Sequence, residues 1–176
     1  SREGALMEYS FHESIIRSRR RLSYEQAQAM IGGSGGDEIS DQLRKMWALA
    51  ELFIRRREAR GGIDFESNEV QVILDERGHP AALKRRERLQ SHRLIEEFML
   101  IANETVARHA GVELAARLPE APAFVYRIHE KPEREEVVGL LELLGLFGIV
   151  QELPKKITPH YFQKLAGAIR RHPANV

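Results

Sequence analysis

Two adjacent carboxylates, Glu96 and Glu97, lie within the stretch SHRLIEEFMLIAN at residues 91–103. Around them Leu94, Ile95, Phe98, Ile101, Ala102, Thr105 and Val106 recur at helical spacing. That pattern predicts a helix with one broad apolar face turned to a core, and Ser91 has the chemistry of its N-cap. At about 100° per residue, Glu97 falls just outside one edge of that face and Glu96 just outside the other. A carboxylate at such a margin is held firmly and still meets water or a ligand. On spacing alone, the plainer reading is a pair of solvated flank residues.

The second chemistry-bearing feature is clumped arginine. Arg17, Arg19, Arg20 and Arg21 form one group, Arg55, Arg56, Arg57 and Arg60 another, and Lys84, Arg85, Arg86 and Arg88 a third. The net charge is only +1, so the chain as a whole is no polycation. Local basic clusters in a near-neutral chain suit a phosphate-binding surface. They suit equally well solvated faces paired with Glu58, Glu66 and Glu87. Metal and nucleophile chemistry finds less support. Seven histidines and no cysteine give no paired ligand spacing, no thiolate site and no disulfide framework. Asp37, Glu38 and Asp41 precede a helix and read as charges on its N-terminus.

The elements that must position these residues follow from pattern. Residues 5–22 alternate Leu6, Tyr9, Phe11, Ile15, Ile16 and Leu22, which predicts one or two strands. Ser23 and Gln26 have capping-box spacing ahead of a helix carrying Ala27, Met30 and Ile31. Gly32–Gly36 ends it as a flexible loop without the lysine of a phosphate-binding P-loop. A long helix is expected from Ile39 to about Arg60, stopped by Gly61 and Gly62. Strands are expected at Val70–Leu74 and Ala81–Arg86, joined by the turn Asp75–Gly78. After the central helix, residues 123–129 read as a strand, and helices follow from Pro132 to about Leu144 and from Thr158-Pro159 onward. The expected class is α+β, with helices packed on a small, mostly antiparallel sheet and a polar tail at 170–176. With 43% hydrophobic and 30% charged residues, 176 residues suffice for a buried core. No apolar run approaches 18 residues, so no membrane span is expected, and the lack of cysteine is compatible with a reducing cytoplasm.

Four motifs then occur in order: IRSRRRLSYEQAQ at 16–28, RGGIDFES at 60–67, SHRLIEEFMLIANETVA at 91–107 and YRIHEKP at 126–132. Together they resemble the catalytic, RNB-type domain of the ribonuclease II and ribonuclease R family of exoribonucleases. The resemblance runs from about Tyr9 to Leu146. It implies magnesium-dependent 3′-to-5′ hydrolysis of single-stranded RNA. It also implies residue roles. Phe65 matches the aromatic that stacks on a base near the 3′ end, Glu97 the carboxylate that contacts the terminal ribose, and Tyr24 a tyrosine lining the catalytic cavity. Arg17, Arg19 and Arg127 match less closely, as backbone contacts.

The family's metal-binding aspartates are expected before residue 1, and its serine-proline-arginine-arginine signature after Val176. On that reading residues 1–176 are the middle of a catalytic domain. They hold no catalytic or metal-binding residue, pair with the remainder of the domain and are inactive alone. The other reading is a degenerate module that binds RNA or protein without cutting.

Overall fold

The computed structural model describes residues 1–176 except 34–35, 65–69, 86, 119, 121–122, 129 and 174–176. Its order is α1 (Tyr24–Gly32), α2 (Glu38–Ala59), β1 (Val70–Leu74), β2 (Pro80–Arg85), α3 (Gln90–Arg108), a π-helical turn (His109–Leu114), the short α4 (Ala115–Arg117), α5 (Arg134–Leu146) and α6 (Pro159–Arg170). The chain divides into two compact units. One comprises 1–55 and 65–106, the other 56–64 and 107–176.

In the first unit, local signals set the helix boundaries. The Ser23 side chain accepts from the Gln26 N–H while the Gln26 side chain accepts from the Ser23 N–H, closing the expected capping box on α1. Asp37 caps α2 by accepting from the Ser40 N–H at 2.8 Å, which supports its reading as a helix-terminus charge. Ile31, Ala50 and Leu94 from the three helices meet in one apolar cluster, with Leu43, Met46, Trp47 and Phe98 packed against it. Phe53 and Phe98 meet edge to face at 5.9 Å.

β1 and β2 pair antiparallel across the expected turn, where the Asp75 carboxylate accepts from the N–H groups of Arg77 and His79 and Gly78 adopts φ +81°. The α+β class is therefore observed. All residues of both strands are exposed, and the buried cluster of this unit joins α1, α2 and α3.

Two expected strands do not form. Residues 5–22 and the described part of 123–129 carry no strand. Alternation supplies a strand's side chains, but only a second strand supplies hydrogen bonds for its backbone. Ile15 and Ile16 accordingly stand exposed, as do Val125 and Ile128.

The second unit packs Leu144, Ile149 and Leu165 together, flanked by Leu140, Leu141, Tyr161, Phe162 and Ile169. Thr158 caps α6 as expected, its hydroxyl oxygen accepting from the Tyr161 N–H. At the end of α5, Gly148 takes φ +76° while its N–H bonds the Gly145 carbonyl and that of Ile149 bonds Leu144. That is a Schellman motif, and it returns Ile149 onto Leu144. Gly61, at φ +89°, ends α2 in the same way, through Gly61 N–H to the Glu58 carbonyl and Gly62 N–H to that of Arg57.

Candidate nucleic-acid interface

Tyr24 and His92 come together in the first unit. Their rings stack with centroids 4.0 Å apart and planes 17° from parallel. Both backbones are pinned. The Ser91 hydroxyl donates to the Tyr24 carbonyl at 2.8 Å, and the Ser91 N–H donates to the Gln28 side chain at 3.2 Å. Ser91 is therefore no N-cap. It lies inside α3, 3% exposed, because its hydroxyl is taken by a carbonyl from α1. Tyr24 itself remains 40% exposed. It borders an apolar hollow of about 400 Å³ with Leu22, Ile31, Leu43, Leu94 and Ile95. An exposed, braced ring beside an apolar hollow has the properties of a stacking platform.

Glu97 departs from its expected place. It is 4% exposed, inside the buried arc of α3 rather than at its rim. Since α1 and α2 both pack against α3 around Leu94, the covered arc is wider than a single apolar stripe. Glu96 behaves as a flank residue. Its carboxylate receives Arg88 in an ion pair that also includes Arg88 Nε at 3.3 Å.

Arg17 and Arg19 lie exposed on the segment ahead of α1, in the same unit as Tyr24 and Glu97. Neighbouring Arg20 bonds Asp37 at 3.2 Å, so that basic cluster is partly a paired face. Hydrogen bonds from Ser40, with a smaller contribution from Arg20, hold the Asp37 carboxyl below the usual carboxylate range. Arg127 belongs to the second unit and is exposed. Its neighbour Tyr126 lies against the π-helical turn, so close that a Cβ on Gly111 would come within 2.5 Å of the Tyr126 hydroxyl oxygen. Phe65 lies outside the described residues. Among the described residues no group of three His, Cys, Asp or Glu side chains could hold a metal ion, and no helix is long and apolar enough to cross a membrane.

His92 is the residue that sequence reasoning missed. Nothing local marks it, because its partner Tyr24 lies 68 positions away and the stack exists only once α1 meets α3.

The RNB domain family model matches residues 1–175. The chain is similar to ribonuclease R of Aquifex aeolicus, at 41% identity over 92% of this chain and 23% of the relative. It is also similar to ribonuclease R of Thermotoga maritima (37%, covering 98% and 24%) and of Escherichia coli (31%, covering 98% and 21%). Among solved structures it is similar to Mycoplasma genitalium RNase R in complex with ribose methylated single-stranded RNA, with TM-score 0.73 and 25% identity over 88% of this chain and 24% of that one. The complex of the same protein with double-stranded RNA gives the same TM-score and identity, covering 27% of that chain. The chain thus spans about a quarter of the length of these relatives.

Proposed function

This chain belongs to the RNB domain family, and from that premise we propose that it is a segment of a 3′-to-5′ exoribonuclease and forms part of the wall along which single-stranded RNA passes. The observation that carries the reading is the family match over residues 1–175. The local geometry supports it: an exposed aromatic ring braced from behind, with exposed arginines on the segment leading into it.

Tyr24 stacks on a base, a contact that tolerates any sequence because every base has a π face. Arg17, Arg19 and Arg127 neutralise phosphates. Phe65 takes a second base, and Glu97 accepts hydrogen bonds from hydroxyls of the terminal ribose, which only RNA offers in full. Burial suits Glu97 to that task in one respect, since a carboxylate packed inside α3 has little freedom to lose on binding.

Magnesium belongs to the reading but not to this segment. The described residues do not fit a metal site, so no chemical step is assigned to them. In the parent enzyme the metal is held elsewhere, and residues 1–176 alone bind RNA without cutting it.

The test compares the parent enzyme with the 176-residue chain on 3′-to-5′ degradable labelled RNA with magnesium. The parent is expected to shorten the RNA progressively and the chain to leave it intact. Shortening by the purified chain overturns the division of labour. A parent that binds RNA and never cuts it favours a non-catalytic module.

A further inference from the structure

A second hollow, of about 560 Å³, opens between the hairpin and the first turns of α1 and α3. Gln71, Lys84 and Arg85 border it from the strands, Glu87 from the connector, and Glu25 and His92 from the helices. Glu25 and the Tyr24–His92 stack link it to the apolar hollow beside Tyr24. We propose that this cleft is a further RNA contact, holding a phosphate and ribose of the single strand whose neighbouring base lies on Tyr24. The proposal rests on the RNA-binding reading above.

Three observations carry it. First, His92 is set up as a donor. The Leu89 N–H donates to its Nδ1 at 3.2 Å, so in the neutral ring the proton sits on Nε2. That nitrogen makes no hydrogen bond among the described residues, and the stack on Tyr24 keeps the ring from turning away. Second, Lys84 and Arg85 form no ion pair among the described residues, whereas Arg20, Arg44 and Arg88 each have a carboxylate partner. Both residues, adjacent on β2, border this hollow. Third, the Glu87 carboxylate borders the cleft together with the two cations, so the cleft is not a general trap for anions. A ligand that satisfies both signs must carry an anionic group and hydroxyl donors together. A ribonucleotide chain does so through its phosphate and 2′-hydroxyl.

The experiment measures binding of the parent enzyme to a labelled oligoadenylate by fluorescence anisotropy, with magnesium withheld, over a range of salt. Lys84→Ala/Arg85→Ala should reduce the slope of log affinity against log salt by about 0.7, the contribution of the one phosphate contact on a single strand that the pair supplies. Lys155→Ala/Lys156→Ala, which removes an exposed lysine pair outside the cleft, should leave the slope unchanged. His92→Phe keeps a ring on Tyr24 and removes the donor, and should weaken binding about tenfold. Glu87→Ala removes repulsion toward either phosphate chain but a hydroxyl acceptor only from RNA. It should therefore narrow the affinity gap between ribo- and deoxy-oligonucleotides. An unchanged slope in the Lys84/Arg85 variant, or an equal fall in the Lys155/Lys156 variant, overturns the cleft while leaving the RNA reading intact. A parent enzyme that does not bind the oligonucleotide overturns both.

Discussion

The unit built on α1, α2 and α3 and the unit built on α5 and α6 bury different chemistry. In the first, Ser40, Ser91, Glu97 and Thr105 are buried beside Ile31, Ala50, Ile54 and Leu94. In the second, the buried side chains among the described residues are Ala110, Val137, Leu144, Ile149 and Leu165, all apolar. Burying a polar group costs stability unless a hydrogen bond replaces its water. The first unit supplies such bonds: Ser91 to the Tyr24 carbonyl, and Thr105 to the Ile101 carbonyl at 2.6 Å. Apolar packing fixes that two helices touch, while directed bonds fix how they are registered. The register in question is that of α1 against α3, which sets the Tyr24–His92 stack. The contrast indicates a first unit built for position and a second built for shape.

The largest expected effect comes from emptying each core. Leu94→Ala and Leu165→Ala should each cost about 2–5 kcal/mol, as deletions of fully buried leucines do; both side chains are 2% exposed. Urea unfolding checks the stability. RNA affinity per folded molecule checks the comparison, because only Leu94→Ala should lower it. Equal losses of affinity would break the assignment of position to one unit and shape to the other.

What the sequence disclosed was whatever is decided locally. The Ser23–Gln26 capping box, Thr158-Pro159, the Asp75–Gly78 turn and the double glycine after α2 were all readable, because each works within a few residues of chain. Strands at 5–22 and 123–129 were misread, since a strand depends on a neighbour that alternation cannot supply. Ser91 looked like a cap because its true partner, the Tyr24 carbonyl, lies 67 residues back. Glu97 was placed at a rim because a single helix cannot reveal that two others cover it. The π-helical turn at His109–Leu114 was also invisible, being fitted to Tyr126. The motifs disclosed the family more fully than they disclosed the site, since family membership is carried by residue identity and the site by distant pairs.

Next in size is a fitted contact in the second unit. Gly111→Ala would place its Cβ 2.5 Å from the Tyr126 hydroxyl oxygen and 3.3 Å from the ring carbon that bears it. Overpacking of this kind costs about 1–3 kcal/mol. Tyr126→Phe removes the nearer atom, so the double variant should recover most of the loss. A double-mutant cycle with no coupling would show that the π-helical turn yields, and that shape there is softer than the comparison requires.

Ser91→Ala should cost about 1–3 kcal/mol, the usual penalty for stranding a buried acceptor, here the Tyr24 carbonyl. It should also loosen the stack, and in the parent enzyme weaken RNA binding beyond what the loss of folded protein explains. Unchanged affinity per folded molecule would separate the buried hydroxyl from the platform and leave it a matter of stability alone.

The smallest effect sets the two helix caps against each other. Thr158 caps α6 with a hydroxyl, and Asp37 caps α2 with a carboxylate. Thr158→Ala should cost about 1 kcal/mol, with no pH dependence of its own, because a hydroxyl does not titrate in the range where the protein folds. Asp37 differs. The Ser40 hydrogen bonds, and to a lesser degree Arg20, hold its folded pKa below the ordinary value of 3.8. A depressed carboxyl pKa contributes stability that is fully present above the unfolded pKa and disappears as pH falls through the folded one. Acidification from pH 5 to below 3.8 should therefore weaken the first turn of α2 and leave the first turn of α6 as it was. Asp37→Ser keeps a capping oxygen and removes the charge, so the difference in stability between wild type and this variant should shrink as pH falls. Amide exchange at Ser40 and Tyr161 reads the two caps separately. If both turns loosen together on acidification, the acid response belongs to the fold as a whole and not to the carboxylate that caps one unit.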